Sequence, residues 1–538
     1  MSELAAALTD SLLRLLPPAA GPQPLLPAVV EALSQALERG QLALDLDGEA
    51  PEGIEASAWP EGVLAALEAS AWLVEEPQLE DRPEAPIVRD GRWLRWRRWH
   101  QQLQHCLDQL GERAAAALEP ATPAAALKQA RAAAEAAGLD AQQSEAVVAV
   151  LRQRLVLLLG GPGTGKTSTV VQMLAAALRQ RPGLRLQLAA PTGKAAARLA
   201  EAVAGAAQGL EAPLPQTLAS VACGTLHRLL EAQGGGRFRR GLRHPLELDL
   251  LVVDETSMVD LPLMAALLEA LPPQAQLVLV ADAGQLPPVG PGAVLEELCR
   301  PERRPLLGPA AVELRTTYRN DGAIAELAGA LRQDTPAGNI DPWPRLQPLL
   351  RGLDGQANVH WLQARDQQLP EAVLEPLRRQ QRRLAALASA PAVDPGPLLA
   401  ALEELIALSP VRQGPWGVEA LHRALLGPLL GAPLQRWPLG TPVLNRQNRP
   451  EQGLANGDVG VLIAVDGERR VLMPGQRLLH PSRLTGAEPA LALTVHKAQG
   501  SQYGEVLLLL PPSRNGDGRL IYTGLTRARR RLLLVTPA

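Results

Sequence analysis

The chain has 538 residues, 46% of them hydrophobic and 20% charged, with a formal net charge of −3, a length that divides into about three or four cores rather than one. No apolar run reaches membrane-spanning length, and the three cysteines, Cys106, Cys223 and Cys299, are far apart and unaccompanied by histidine clusters, which excludes a disulfide framework or a zinc site as the organising device. The near-neutral total argues against a polycation. Arginine clusters at 92–98, 237–243, 378–383 and 527–531, set against an acidic surplus at about 45–85, still leave room for the local basic groove that a phosphate backbone requires.

The N-terminal segment MSELAAALTDSLLRLLPP carries Glu3, Asp10 and Arg14 through its apolar stretch, which predicts an amphipathic helix rather than a leader peptide, and with it a cytoplasmic protein without a membrane role. Residues 1–125 read as an Ala/Leu-rich helical domain with one strand pair turning at Asp90–Gly91, and no catalytic motif falls there. Its RWLRWRRW segment (92–99) interleaves tryptophan and arginine; packing of an internal or partner-facing surface is favoured over base stacking. From 126 to 312, short apolar runs alternate with helical patterns: LVLLLG (155–160), LRLQLAAP (184–191), LDLLVVDE (248–255) and QLVLVAD (276–282). Such runs, each leading into a polar loop and a helix, are the mark of a parallel sheet covered on both faces.

EAQGGGRFRRGLRHPLE (231–247) interrupts this domain as an inserted hairpin. A second α/β set follows over 313–431 and 488–538, with strands at ELIALSP (404–410), LALTVH (491–496), EVLLLLP (505–511) and RRLLLVTP (530–537). Residues 432–487, with Gly-punctuated short strands, predict a small β-barrel inserted in it, and the Pro/Ala-rich stretch 386–398 predicts a connecting loop.

Only four of the 53 basic residues are lysines, Lys128, Lys166, Lys194 and Lys497, and the last three lie in segments suited to phosphate or nucleic acid. Where any positive charge suffices the chain uses arginine, so the surviving lysines mark positions where a compact ammonium is needed. The three tyrosines, Tyr318, Tyr503 and Tyr522, lie within a few residues of candidate segments too. Gly160, Gly161, Pro162, Gly163, Thr164, Gly165, Lys166 and Thr167 follow a strand and open a helix, the context that makes a P-loop specific. Backbone N–H groups there can close around phosphates, Lys166 can reach the β and γ phosphates, and Thr167 can bind Mg²⁺. Asp254 and Glu255 end the strand LDLLVV, Asp254 suited to the metal and Glu255 to the attacking water. Gln285, in ADAGQLPPVG, can sense the terminal phosphate, and Arg319 and Arg527 are candidate arginine fingers that act when the two α/β domains close.

The order GGPGTGKT, DETS (254–257), ADAGQLPPVG (281–290), TTYRN (316–320) and YTGLTRARRRL (522–532) resembles the superfamily 1 helicases, in particular their 1B branch, over roughly 136–538. The resemblance implies two RecA-like parallel-sheet P-loop domains with a helical N-terminal domain and a small SH3-like β insert, driven by ATP and Mg²⁺, moving 5′→3′ on one DNA strand. It assigns Gln143 to the adenine edge, with Gln142 as the alternative register, and departs from the pattern at Ala281, where glycine usually precedes the aspartate. PTGKAAARL (191–199) resembles motif Ia, with Thr192 and Lys194 on a backbone phosphate; GTLHRLL (224–230) resembles motif Ib, with Thr225 and His227 on the strand. LTVHKAQGSQ (493–502) resembles motif V, setting Thr494, His496, Lys497 and Gln499 between nucleotide and strand.

Phe238, the chain's only phenylalanine, fits a pin that parts a duplex, and NGDVG (456–460) matches the SH3-like turn. The N-terminal domain is implied to dock partner subunits of a heterotrimer that works on duplex DNA ends. No spaced-carboxylate nuclease constellation appears, so cleavage would come from a partner. No helix-hairpin-helix extension is visible, which favours a complex subunit. A stand-alone helicase, and an ATPase that gates assembly on DNA ends without unwinding, are the alternative readings.

Overall fold

The computed structural model of the protein describes residues 3–18, 23–318, 322–332, 341–353, 358–365, 367–447, 449, 452, 454–512 and 517–538. At the N-terminus, α1 (Glu3–Leu15), α2 (Leu26–Glu38) and α3 (Glu61–Ala69) pack on a sheet ordered β1 (Leu44–Asp45), β4 (Trp93–Trp96), β3 (Ile87–Asp90), β2 (Leu73–Glu75). The expected strand pair is β3–β4, in register at Asp90 and Trp93, with Gly91 at φ +58° in the turn where a side chain would be strained. The rest of this sheet is a departure from the helical expectation. β1 and β2 have two and three residues, too short for a period-2 signal to emerge.

The Trp/Arg segment is architectural. The Arg95 side chain is 0% exposed, paired with Asp90 at 2.5 Å and with Glu297 of the first motor domain at 3.3 Å, while Arg300 lies 3.7 Å over the Trp93 ring.

From that sheet the chain enters α4 (Arg97–Ala115), whose buried face of Leu103, Cys106, Leu107, Leu110 and Ala114 joins the core of the first motor domain, as does Leu42. Each leucine buried there contributes about 1.5–3 kcal/mol as an upper bound. Arg113 holds the helix end in place by donating to the carbonyls of Leu271, Pro272 and Ala275 at 2.9–3.1 Å.

The first motor domain is a parallel sheet ordered β12 (Ala311–Leu314), β5 (Leu155–Gly160), β11 (Gln276–Ala281), β10 (Leu250–Val253), β6 (Leu186–Ala190), β7 (Ala222–Thr225). Its helices are α5 (Ala124–Ala136), α6 (Ala141–Ala149), α7 (Lys166–Gln180), α8 (Gly193–Ala207), α9 (Leu214–Ala219), α10 (Leu226–Leu229), α11 (Leu261–Ala270) and α12 (Val294–Cys299). β5, β10 and β11 are buried at every residue, which is why they read as unbroken apolar runs. A two-stranded hairpin, β8 (Ala232–Gly234) and β9 (Arg237–Phe238), stands apart.

The second motor domain repeats the plan with a parallel sheet ordered β13 (Val359–Ala364), β22 (Ala528–Pro537), β21 (Tyr503–Leu509), β14 (Leu405–Ser409), β20 (Ala492–Thr494). Its helices are α13 (Ala323–Arg332), α14 (Trp343–Leu353), α15 (Glu371–Ala388), α16 (Pro395–Leu402), α17 (Val418–Leu426) and α18 (Gly518–Leu525). The expected loop 386–398 shrinks to the residues between α15 and α16, because Asp394 caps α16 by accepting from Gly396 N at 3.0 Å and Pro395 takes the first helical position. The insert is a five-stranded antiparallel sheet ordered β18 (Arg477–Leu479), β17 (Glu468–Met473), β16 (Val459–Val465), β15 (Pro442–Leu444), β19 (Glu488–Pro489). No helix among the described residues is long and apolar enough to cross a membrane.

Candidate functional site

β5 delivers the chain at Gly160 into the P-loop, and α7 starts at Lys166 behind Gly165, which sits at φ +78°. A Cβ on Gly160 would lie 2.5 Å from Thr164 Oγ1, and one on Gly165 would strike the Gln143 amide, so close approach forbids a side chain at both. Lys166 folds back across the loop, donating from Nζ to the carbonyls of Gly160 and Gly161 at 2.7 and 3.0 Å, and Thr167 stands half-buried in the first turn of α7. Amides at a helix start with an ammonium held beside them form a cradle for phosphate oxygens.

β10 ends beside this cradle. Burial, reinforced by the neighbouring Glu255 charge, pushes the Asp254 carboxyl up to about 6, and Lys166 pulls it back only in part. A carboxyl so short of positive charge is one that a bound cation stabilises. No group of three or more His, Cys, Asp or Glu side chains converges among the described residues. Glu255 follows at φ +51°, a left-handed backbone costing about 1–2 kcal/mol for a non-glycine residue.

The loop after β11 is tied to the second motor domain. Asp282 accepts from the Tyr522 hydroxyl at 2.8 Å and from Gly284 N at 3.1 Å, while Leu286 N donates to Thr523 Oγ1 at 2.9 Å. Burial and the Asp282 charge hold the Tyr522 phenol well above its ordinary value, so it stays a donor. Gln285 is 6% exposed, donates to Asp282 at 3.4 Å, and leaves its buried Oε1 without a partner. An orphaned acceptor of this kind invites a donor. Ala281 fits as the last residue of β11, opposite Leu159.

The expected side chains around the P-loop are engaged within the protein. The Gln143 amide's Oε1 accepts from Asp140 N at 2.9 Å in a capping box and its Nε2 donates to Thr164 O at 3.0 Å, so it props the P-loop. Gln142, the other register, accepts from Arg315 N at 2.9 Å. Arg527 is 2% exposed and donates to Thr523 O, Ser501 O and Thr526 Oγ1 at 3.0–3.2 Å, bracing its own domain. Arg319 lies outside the described residues.

Two groups at the P-loop carry no expected role. Tyr318 donates from N to Gly163 O at 2.9 Å and from its hydroxyl to Asp140 at 2.7 Å, and its ring is 50% exposed beside the loop. Arg332, at the end of α13, lies over Gly161.

Away from the nucleotide end, the three expected strand-contacting segments divide. Thr192 caps α8 by accepting from Ala195 N, and Gly500 of the second motor domain packs against it, where a Cβ would meet Thr192 Oγ1 at 3.4 Å. On its other side, Gly193 faces Ala455 and Asp458 of the insert. Lys194 sits 5.2 Å over the Tyr503 ring and 3.9 Å from Glu403, and Arg198, which sequence reasoning passed over, reaches Glu403 and the carbonyls of Gly500 and Gln502 at 3.0–3.1 Å. Burial opposes ionisation of Glu403, but Arg198 and Lys194 outweigh it and keep the carboxyl below its ordinary range.

Lys497 pairs with Glu488 at 3.1 Å, and its N–H donates to Thr494 Oγ1; His496 is exposed next to it. Gln499 is 5% exposed and donates to Leu286 O at 3.1 Å, which joins motif V to the Asp282 loop.

Thr225 caps α10, and His227 is exposed 5.9 Å from the Phe238 ring. Phe238 is at the hairpin base, packed on the motor-domain core; glycines 234–236 form the tip. The exposed apolar side chain of this insert is Leu242, 80% exposed in a tight turn closed by Gly241 and His244.

A P-loop with an acidic pair beside it, roofed by a second parallel-sheet domain that is bonded to the loop after β11, defines a nucleotide-driven motor of the superfamily 1 helicase class. An AAA domain model matches residues 143–291 and a UvrD-like helicase C-terminal domain model residues 489–535. The RecBCD enzyme subunit RecD of Mycolicibacterium smegmatis is 38% identical, covering 93% of this chain and 87% of the relative, and that of Haemophilus influenzae is 30% identical over 72% and 68%. The ATP-dependent RecD2 DNA helicase of Deinococcus radiodurans is 33% identical over 73% of this chain and 48% of the relative. The chain belongs to the RecD family.

Proposed function

We propose that the chain is an ATP- and Mg²⁺-dependent 5′→3′ DNA helicase, the motor subunit of an exodeoxyribonuclease V that it forms with RecB-like and RecC-like subunits and that processes duplex DNA ends. The observation that carries this reading is the bonded seam between the P-loop domain and the second motor domain, Asp282 to Tyr522 and Leu286 to Thr523, because a motor needs its nucleotide site to sense domain closure. Lys166 would stabilise charge on the transferring phosphoryl group, Thr167 and Asp254 would hold Mg²⁺, and Glu255 would orient and deprotonate the attacking water. Gln285 would donate from its amide nitrogen to the terminal phosphate, and Gly161, Gly163, Thr164 and Gly165 would supply backbone N–H groups. The cation held by Thr167 and Asp254 would supply positive charge against the phosphates.

The half-exposed Tyr318 ring offers a face for the base, taking over from Gln143. Thr192, Lys194, Thr225, His227, Thr494, His496 and Lys497 would line the strand's path, and Leu242, not Phe238, is the apolar tip available to a junction. The N-terminal domain, with Arg95 and its partners fastening it to the motor, is the surface left for the other subunits. Strand displacement on a duplex with a 5′ overhang tests the motor, with copurification from native cells testing the assembly. Unwinding with co-eluting large subunits is expected. Hydrolysis without unwinding would make the chain a gate, and processive unwinding by a solitary chain would make it a stand-alone helicase.

A further inference from the structure

The second motor domain reaches into the nucleotide end through one hydroxyl, and the oxygen that accepts from it has a second donor. Tyr522, on α18, is 1% exposed. Its hydroxyl donates to Asp282 Oδ2 at 2.8 Å, and the Gln285 amide nitrogen donates to the same oxygen at 3.4 Å. The other carboxylate oxygen of Asp282 accepts from Gly284 N at 3.1 Å. The tyrosine also stands close to the P-loop: a Cβ built on Gly161 would lie 3.1 Å from its hydroxyl, and one on Gly284 would lie 3.0 Å from its ring. The segment 282–286 is a strap whose two ends belong to different bodies. Asp282 leaves β11 of the first domain. Leu286 shares the hydrophobic core of the second with Ile521 and Leu525, donates from N to Thr523 Oγ1 at 2.9 Å and accepts from Gln499 at 3.1 Å. Gln285 lies between these anchors, its buried Oε1 without a partner.

We propose that Tyr522 is a positioning residue for hydrolysis: by filling Asp282 Oδ2 from the second domain, its hydroxyl keeps the Gln285 amide nitrogen off that carboxylate and available to the terminal phosphate of a nucleotide on the P-loop. A buried carboxylate oxygen left short of a donor is costly, and a hydrogen bond to an ionised acceptor is among the stronger ones. With the tyrosine in place the 2.8 Å bond meets that demand, and the amide stands at the outer limit of hydrogen bonding. Without the hydroxyl the amide closes on Oδ2, which withdraws it from the phosphate. Opening of the cleft removes the hydroxyl and pulls on Leu286 together, so both ends of the strap act on Gln285 at once. The inference rests on the nucleotide reading of the site and adds the group through which domain closure reaches Gln285.

The test is a double-mutant cycle on the full chain with Mg²⁺ and single-stranded DNA, read as kcat and KM for ATP beside the affinity for ADP. Tyr522→Phe deletes one oxygen and keeps the ring in its core. It is expected to lower kcat by about tenfold, the size of one lost hydrogen bond to a charged group, while KM and ADP affinity stay within about twofold of the parent. Retained ADP binding also certifies that the variant is folded. Gln285→Ala should lower kcat too, and adding Tyr522→Phe to it should cost no more than about a further twofold, because the hydroxyl acts through the amide. With a parent that binds ADP and hydrolyses ATP, this inference alone is overturned by multiplicative losses in the double variant, by an unchanged kcat in either single variant, or by ADP affinity falling along with the rate in Tyr522→Phe. A parent that neither binds ADP nor hydrolyses ATP overturns the nucleotide reading itself.

Discussion

The cleft between the two motor domains is held shut differently at its two ends. At the nucleotide end the seam joins buried hydrogen bonds, Tyr522 to Asp282 and Leu286 to Thr523, to the Arg519–Glu296 ion pair, with Gln285 left short of a donor and Asp254 short of positive charge. At the other end the seam is ionic, Lys194 and Arg198 of the first domain sharing Glu403 of the second, and beside it Lys497, Arg412 and Arg446, all of the second domain and its insert, share Glu488. The first end is built to gain energy from a ligand it lacks. On the proposed strand path the second would have to give up a pairing before taking a phosphate, which would weaken strand affinity and make exchange along the strand cheap.

The largest way to separate the ends is at Lys166. Lys166→Gln should lower strand-stimulated ATP turnover by about a hundredfold or more, whereas Lys497→Gln should leave strand-free turnover intact and weaken strand binding. Steady-state assays with and without single-stranded DNA read both, and a Lys497 variant that loses strand-free turnover would erase the distinction.

Acid should then pull the ends apart. His422 is buried under motif V, its ring bonded to the backbone of Ala492, and burial pushes it down to about 4. A depressed folded value means the stability is present above the unfolded value near 6.5 and is lost as pH falls through about 4. Asp254 has the opposite sign, since a raised carboxyl is relieved on protonation. Urea midpoints should therefore fall between pH 6.5 and 4. His422→Gln should remove up to about 3 kcal/mol of that fall. His100 is pushed to the same value in the N-terminal domain, with neither ring nitrogen partnered, and supplies a matching term outside the cleft. A slope unchanged in His422→Gln would place the acid sensitivity elsewhere.

The smallest effect is at Glu488. Glu488→Gln should tighten single-strand binding by about two- to fivefold and steepen its salt dependence, since it frees cations now neutralised. Lys128→Arg, on the exposed side of α5, should change nothing beyond about 0.5 kcal/mol and serves as the control for both lysine sites. Fluorescence anisotropy at several salt concentrations checks the pair; weaker binding by Glu488→Gln would mean the carboxylate positions Lys497 instead of competing for it.

Legibility in the sequence followed burial. β5, β10 and β11 were readable because every residue is apolar, and the P-loop and Asp254–Glu255 because the strand ends fix where they must lie. Side-chain direction was not readable. Gln143, Gln499 and Arg527 occupy motif positions, yet their polar atoms are taken up by nearby backbone groups or by the opposite domain, which no spacing reveals. Phe238 misled because a lone aromatic between arginines looks like a tip, while the three glycines beside it already made the turn. Arg332 was invisible for the reverse reason: one arginine at a helix end in an arginine-rich chain carries no signal until α13 is set against Gly161.

The helix Arg97–Ala115 has a consequence for the order in which the protein can be made. It leaves the ribosome long before the strands it covers, β5, β10 and β11, and its apolar face must wait for them. The last strand of that sheet, β12, is complete only at Leu314. Compact units ordinarily close as soon as they emerge. Here the N-terminal helices and sheet have a core of their own, complete by Trp99, whereas the apolar face of this helix belongs to the next core, so more than half of the chain is synthesised before that face is covered, and the nascent protein offers chaperones a greasy helix throughout that interval.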